Sequence, residues 1–362
     1  MNICIIGLNL TSLILSKALI NIGCSVDIFT FNQKKSNFST RTIGISKSNI
    51  NFINKNIINL KTNQFQNIKK IRIFNHEKKE IVSFCDKDKV LFSITEVNKI
   101  FNILYNNLKL NKFFKINKVN EKTFQKKNFI NSYNLIINCE KNNFISKKYF
   151  SNKFKKSYDS IAYTALIYHK KIKNFEAKQY FTNFGPLAFL PLSSKITSIV
   201  FSAYNVGASY DKIFRELVSN FSGNLKISRF SEFQKAELKF SLARKYHFKN
   251  ILLFGDGLHQ IHPLAGQGFN MTLRDLKILL TIIKNKVDCG LEIDSSCLKD
   301  FEEDSKSKNF IFSEGINFIQ EFFRIKKSFG DKKLGNFVKK IGKNNKIKNF
   351  LIKVADEGII TS

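Results

Sequence analysis

The sequence predicts an α/β (α+β) fold: a βαβ dinucleotide-binding domain interleaved with a β-sheet domain and followed by a helical C-terminal tail. Three observations carry this. A strand–helix–strand pattern opens the chain. A second group of strands without intervening helices runs from Ala162 to Ala203. From Phe312 onward, apolar residues recur at helical spacing.

The elements follow in order. Ile3–Ile6 reads as a buried strand ending at Gly7, and Thr11 to Ile22 as a helix closed by Gly23. Val26–Phe31 is the second strand. Ser48–Leu60 has helical spacing, and Ile71–Phe74 and Glu80–Phe84 read as paired strands. Glu96 to Leu108 is helical, with Val97, Ile100, Phe101, Leu104 and Leu108 on one face. Tyr133–Cys139 is a buried strand. Ala162–Tyr168, Ala188–Leu192 and Ile196–Ala203 form an antiparallel region, and Ile251–Phe254 is a strand running into Gly255-Asp256. Phe269 to Ile283 is a helix, and Phe312, Ile316, Ile319 and Phe323 share one face of another. Two further helical faces are Leu334, Phe337, Val338 and Ile341, then Ile347, Phe350, Leu351 and Val354. The domains expected are 1–70, 91–155 and 245–290 for the dinucleotide unit, 71–90 and 156–244 for the β-rich substrate unit, and 291–362 for the C-terminal helices.

Composition excludes several classes. With 362 residues, 43% hydrophobic and 13% aromatic, the bulk of the chain buries a core. No apolar run reaches the roughly 18 residues of a membrane span. The N-terminal strand has no basic region before it, so no signal peptide is expected. The net charge of +32 would suit a polyanion. However, only seven of the 60 basic residues are Arg, the Lys are dispersed, and Asn, Ile and Phe are abundant while Trp is absent. That is the signature of A/T-rich coding, and base readers lean on Arg, so no nucleic-acid partner is expected. The six cysteines (Cys4, Cys24, Cys85, Cys139, Cys289 and Cys297) form no CxxC pair. They read as free thiols in a reducing compartment, with no metal site.

Against this background the scarce residues stand out. The three prolines, Pro186, Pro191 and Pro263, fall in two segments, 185–192 and 255–275. The second segment also holds Gly255, Gly257, Gly266, Gly268, His259 and His262. Its strand ends at Gly255, so Asp256 projects a carboxylate beyond the strand's C-terminal end, where open α/β sheets bind ligands. Pro263 stiffens the next loop. Gly266 and Gly268 let backbone approach a flat ligand, and the helix that begins there directs positive charge at it. The N-terminal turn, Gly7-Leu-Asn9-Leu-Thr-Ser12, keeps the first glycine of a G-x-G-x-x-G fingerprint. Asn9 is expected to adopt the left-handed backbone of the second glycine, and Ser12 to keep helix and strand close. Thr30 stands where an acid usually holds a ribose.

Residues 253–275 resemble the second FAD motif, G-D-x-x-H-x-x-x-P-x-x-G-x-G-x-N, of the flavin aromatic hydroxylases with the p-hydroxybenzoate hydroxylase fold. The fuller string H-P-x-A-G-Q-G-F-N-x-x-L-R-D is similar to the ubiquinone-biosynthesis branch. Arg41-Thr-Ile-Gly-Ile-Ser46 resembles that branch's R-x-x-A-L-S, and Gln179–Leu192 its R-F-T-x-x-G-P-x-A-x-L-P-L strand pair. The family's middle motif, A-D-G-x-x-S-x-x-R, aligns with Cys139-Glu140-Lys141 through Lys147, where Glu140 keeps an acid that is one methylene longer.

The resemblance implies a Rossmann-like FAD-binding domain and flavin-dependent monooxygenation. NAD(P)H reduces FAD, and one oxygen atom of O2 passes to the activated aromatic ring of a polyprenylated phenol or quinone precursor. It implies FAD contacts at Gly7, Asn9, Ser12, Thr30, Arg41, Gly255, Asp256, Pro263, Gly266, Gly268, Phe269 and Asn270. His262 and Pro263 would lie near the flavin ring, and the substrate near Pro191 and Leu192. No acid–base catalyst is singled out. The altered first and middle motifs predict that the adenine half of FAD is held less tightly than the flavin half. The lipid-tailed substrate implies a cytoplasmic enzyme in peripheral contact with the inner face of a membrane, beside other ubiquinone-biosynthesis proteins. Two alternatives stand: a non-catalytic or weakly FAD-binding paralogue acting as a scaffold, and another FAD-dependent oxidoreductase of the same fold.

Overall fold

The computed structural model describes residues 1–31, 41–85, 90–126, 132–204, 210–262, 266–325 and 345–358. Among these residues the strands form three sheets.

The first sheet has the order β16 (His247–Phe248), β17 (Ile251–Leu253), β9 (Leu135–Asn138), β1 (Asn2–Ile6), β2 (Ser25–Phe31) and β8 (Phe114–Val119). All its pairings are parallel except β16 with β17. A parallel strand covered on both faces must be apolar throughout, and Ile3, Cys4, Ile5, Ile6 and Leu135–Ile137 are fully buried. Helices α1 (Leu10–Asn21), α3 (Val97–Leu108) and α7 (Gln267–Asp288) pack in the same core. α1 is buried almost all round, from Leu10 to Ile20, so packing rather than an amphipathic face holds it in place. Each fully buried Ile or Leu contributes about 1.5–3 kcal/mol to such a core.

The second sheet has the order β18 (His259–Gln260), β15 (Gln234–Ala243), β10 (Lys153–His169), β13 (Ile196–Tyr204), β12 (Gly185–Pro191), β11 (Glu176–Thr182), β5 (Lys70–Phe74) and β6 (Glu80–Cys85), with β14 (Ile227–Phe230) pairing with β10. Helix α6 (Asp211–Phe221) covers an aromatic core containing Tyr163, Tyr180, Phe189, Phe201 and Phe214. The third sheet is small: β3 (Thr42–Ser46), β7 (Phe92–Glu96) and β4 (Gln66–Ile68). It meets the second sheet, where Thr42 Oγ1 lies 2.9 Å from Ser198 Oγ of β13.

The remaining helices are α2 (Lys47–Asn56), α4 (Glu121–Lys126), α5 (Phe144–Tyr149), α8 (Ser295–Ile325) and α9 (Asn345–Glu357). α9 folds back onto α2. The Asp356 carboxylate accepts from Ser48 N at 2.8 Å, and the Asp356 carbonyl accepts from Ser46 Oγ at 2.9 Å. Ser46 is the N-cap residue of α2 but makes no side-chain cap of its own, so Asp356 does that work from across the fold.

Several expectations need adjusting. The strand expected at Ala162–Tyr168 begins earlier, at Lys153, and β8 and α6 lacked a clear periodic signal. Four cysteines are buried free thiols, while Cys85 and Cys289 are exposed. The helical face of Leu334 to Ile341 lies outside the described residues.

Candidate functional site

The C-terminal ends of β1, β9 and β17 stop level with one another. Gly7 N donates to Phe29 O at 2.8 Å, Cys139 N to Ile6 O at 2.9 Å and Phe254 N to Asn138 O at 2.9 Å. Beyond these ends lie three turns that carry most of the expected residues.

The first turn is Gly7–Ser12. Gly7 has φ +101°, a region that favours glycine. Asn9 is not left-handed: its backbone is extended, at φ −144° and ψ 179°. The expectation for Asn9 is therefore corrected, because the side chain does the work instead. Asn9 is the N-cap of α1. Its Oδ1 accepts from Ser12 N at 3.0 Å, and Ser12 Oγ in return accepts from Asn9 N at 2.9 Å. That reciprocal capping box uses up one of the N–H groups the helix start presents to an anion. Asn9 Nδ2 also donates to Cys139 O at 3.1 Å, which ties this turn to the next. Thr30 is half-buried at the end of β2.

The second turn is Cys139–Asn143. Glu140 lies over Gly7: a Cβ placed on Gly7 would come 2.4 Å from Glu140 Cγ. Burial, and secondarily Glu121, pushes the Glu140 carboxyl up to about 7. Asn143 caps α5, accepting from Ser146 N at 2.9 Å.

The third turn is Gly255–Gly257. Gly255 has φ +60°, and a Cβ there would meet Thr11 Cγ2 at 2.8 Å. Asp256 is exposed at the head of the sheet. Lys153 Nζ donates to Gly257 O at 2.7 Å. Burial, with Lys155 and Lys141 nearby, lowers the Lys153 ammonium to about 8.

Beside these turns, α7 begins at Gly266, whose φ is +66° and which faces the backbone of Gly44. Asn270 binds the two segments together. Its Nδ2 donates to Gly44 O at 2.9 Å and to Gly266 O at 3.2 Å. Its Oδ1 accepts from Ser46 N at 2.9 Å and from Asn49 Nδ2 at 3.0 Å. The Asn270 side chain is thus consumed internally, and sequence reasoning missed this clasp because its partners Gly44, Ser46 and Asn49 lie more than 220 residues away. Gly268 has ordinary room for a Cβ, with Ile261 Cγ1 at 3.9 Å, and Phe269 packs against the main core. Arg41, exposed at the entry to β3, accepts Val97 N at its carbonyl, at 3.0 Å. Pro191 pairs in register with Thr197, next to the Ser198 that touches Thr42, so the Pro191–Leu192 end of β12 is brought beside β3.

The two histidines differ. His259 Nε2 lies 2.7 Å from Asp275 Oδ2, with both side chains buried. His262 is buried with its ring edge-on to Tyr158 at 5.1 Å, and neither ring nitrogen has a partner among the described residues. Burial lowers its imidazolium to about 3. Tyr158 in turn donates to Asn317 of α8. Pro263 lies outside the described residues. Arg274 stacks on Phe312, 4.2 Å from the ring centre.

Comparison with known proteins bears on this arrangement. A family model described as FAD binding domain matches residues 185–287. Across the whole chain, p-nitrophenol 4-monooxygenase PnpA from Pseudomonas putida superposes with a TM-score of 0.77 at 10% identity, covering 99% of this chain and 98% of that one. Klebsiella pneumoniae HpxO, solved with FAD and uric acid, superposes with a TM-score of 0.71 at 11% identity, covering 99% and 97%. The chain shares the fold of these two proteins. By sequence, the chain is 29% identical over 183 residues to a Dictyostelium discoideum ubiquinone biosynthesis monooxygenase COQ6, spanning 40% of this chain and 37% of that protein. It is 30% identical over 158 residues to the Escherichia coli 3-demethoxyubiquinol 3-hydroxylase, spanning 40% and 39%. The matched stretches therefore cover about two fifths of these relatives' own lengths.

The residues present at the end of β17 and the start of α7, inside the matched FAD-binding segment, fit the flavin half of FAD. Left-handed Gly255 and Gly266 let Thr11 and the Gly44 backbone pack against the strand end and the helix start. Asp256 offers an exposed acceptor, and the start of α7 supplies positive potential.

Proposed function

We propose that this chain is an FAD-dependent monooxygenase that hydroxylates the aromatic ring of a polyprenylated ubiquinone precursor, with NAD(P)H and O2 as co-substrates. The observation that supports it best is the contact of Gly44 with Gly266 at the start of α7, clasped by Asn270, together with the exposed Asp256 beyond the end of β17. The relatives named for ubiquinone-pathway hydroxylation point to the substrate class.

In this reading the segments 1–70, 91–155 and 245–290 form the cofactor unit, and 71–90 with 156–244 the substrate unit. Asp256 accepts from hydroxyls on the ribityl–diphosphate stretch. Gly7, Asn9, Ser12 and Thr30 face the adenosine half, and Arg41 and Gly266–Asn270 face the flavin half. Bound FAD supplies the redox chemistry that takes electrons from NAD(P)H and activates O2. The protein's own part is to position and to exclude water. His262, buried and uncharged, keeps a dry apolar wall beside Tyr158. The start of α7 offers positive potential to a ring that gains negative charge on reduction. The aromatic substrate enters beside Pro191 and Leu192.

Among the described residues no helix is long and apolar enough to cross a membrane. Exposed Phe310 and Ile311 on α8 and Phe350 on α9, amid abundant Lys, suit peripheral contact with an anionic surface that delivers a lipid-tailed substrate. A second reading, a scaffold that holds FAD weakly, draws on the Glu140 side chain lying over Gly7.

The deciding experiment is direct. Purified protein should be yellow, with flavin absorbance released on denaturation, and a deletion strain should accumulate an under-hydroxylated quinone precursor. Folded protein that carries no flavin and takes up none would leave the scaffold reading in its place.

A further inference from the structure

One face of α8 carries Asn309, Ser313 and Asn317, all buried and spaced four residues apart. Residues so spaced lie one above another on a helix. Each engages the segment His259–Asp275. Asn309 Nδ2 donates at 2.9 Å to Asp275, whose other oxygen holds His259. Ser313 Oγ donates to Met271 Sδ at 3.9 Å. Asn317 reaches the segment through Tyr158 of β10. The Tyr158 hydroxyl donates to Asn317 Oδ1 and accepts from the backbone N–H of His262. Asn317 Nδ2 donates to Glu314 Oε1 at 3.2 Å, which turns the Oδ1 side of the amide toward the tyrosine.

β10 is bulged at this residue. It pairs Ser157 with Lys239 and next Ile161 with Glu237, so Tyr158, Asp159 and Ser160 stand opposite Leu238 alone. Asp159 takes φ +48°, a left-handed backbone that a residue other than glycine adopts at a cost. A bulge of this kind re-aims a side chain, often beside an active site. The side chain re-aimed here is Tyr158, fully buried, with its ring 5.1 Å from the His262 ring at an interplanar angle of 85°. His262 stands four residues before Gly266, the N-cap of α7. Its imidazole nitrogens have no partner among the described residues, so the hydrogen bond that locates this turn is the backbone one to Tyr158.

We propose that Tyr158 is a positioning residue for the flavin ring: held by Asn317 of α8, it fixes the backbone at His262 and with it the start of α7 that faces the ring. The proposal rests on the FAD reading above and deepens it, because it gives α8 a part in that site. Reduction places negative charge on the ring, and a helix start stabilises that charge. A turn released from Tyr158 withdraws the stabilisation from the reduced form more than from the neutral oxidised form. The effect is therefore read in the relative affinity for reduced and oxidised FAD, which sets the reduction potential of the bound flavin.

The test uses the purified full chain loaded with FAD. The two-electron potential of the bound flavin is measured by equilibration with reference dyes, beside the thermal melting temperature. Tyr158→Phe keeps the ring against His262 and removes the hydroxyl. It should weaken reduced relative to oxidised FAD about tenfold, a potential about 30 mV more negative. Asn317→Ala leaves the hydroxyl without its acceptor and should move the potential the same way by less. Ser313→Ala alters the same face of α8 without touching the His262 turn, so it should keep the wild-type potential. If Tyr158→Phe does not fold, Asn317→Ala carries the test in its place. A lowered melting temperature with an unshifted potential makes Tyr158 a packing residue and overturns the proposal. An equal shift in Ser313→Ala assigns the effect to general loosening of α8 and overturns it too. Either result leaves the FAD reading standing. Folded wild type that takes up no FAD overturns that reading and the proposal with it.

Discussion

His259 and Asp275 meet at 2.7 Å, Nε2 to Oδ2, in a setting where about 1% of either side chain reaches solvent. The other Asp275 oxygen accepts from Asn309 Nδ2 at 2.9 Å. One carboxylate thereby joins β18, α7 and α8. Asp275→Ala would strand both the imidazole and the Asn309 amide in the core and should cost about 3 kcal/mol of stability. Urea unfolding measures this, and a loss under about 1 kcal/mol would show that the junction relaxes without it.

Asn270 makes a comparable junction at the site itself. Asn270→Ala should cost about 2–4 kcal/mol, because Ser46 N and the Gly44 and Gly266 carbonyls lose their partner in a buried setting. It should also lower flavin content per folded molecule, since β3 and the start of α7 are no longer clasped. Absorbance of the folded fraction after gel filtration reads this out. Full flavin retention would separate the clasp from cofactor binding.

Asp256 is the opposite case. It is exposed, so Asp256→Ala should leave stability within about 0.5 kcal/mol of wild type while abolishing flavin retention. Unchanged flavin content with an unchanged melting temperature would remove Asp256 from the proposed site.

His262 should mark the pH profile of stability. Its imidazole titrates at the ordinary value of about 6.5 when unfolded and is lowered to about 3 by burial when folded. The unfolded chain therefore binds the extra proton first. The contribution of neutral His262 is complete above pH 6.5 and is lost progressively as pH falls toward 3. From pH 6.5 to pH 5 the loss is about 2 kcal/mol. His262→Phe, which keeps a ring against Tyr158, should flatten that part of the profile by the same amount in thermal melts. Parallel profiles for wild type and variant would refute the assignment.

Parts of this chain were readable in one dimension for a physical reason. Ile3–Ile6 and Ile251–Leu253 are continuous apolar runs because both faces of a parallel sheet are covered. Gly255-Asp256 and Gly266-Gln-Gly268 recur at a spacing tied to a strand end and a helix start, and both are local events. What could not be read was pairing at a distance. Nothing near Asn270 indicates that its side chain binds β3. Asn9 looked like a substitute for a left-handed glycine, yet capping α1 satisfied it better from an extended backbone. β8 and α6 were missed because only their buried faces, such as Phe214, Leu217 and Val218 in α6, are apolar. In so Lys- and Asn-rich a chain that pattern is diluted.

The sequence by itself determined the class of fold, the order of its main strands and the segment that carries the flavin-like motif, because each depends on hydrophobic periodicity and on glycine and proline at fixed local offsets. Only the tertiary structure decided that Glu140 stands over Gly7, that Asp275 serves His259 and that Asp356 caps α2 from the far end of the chain. Those relationships join residues up to 310 positions apart. They depend on which side chains the packed core brings within hydrogen-bond reach, and no local pattern encodes that.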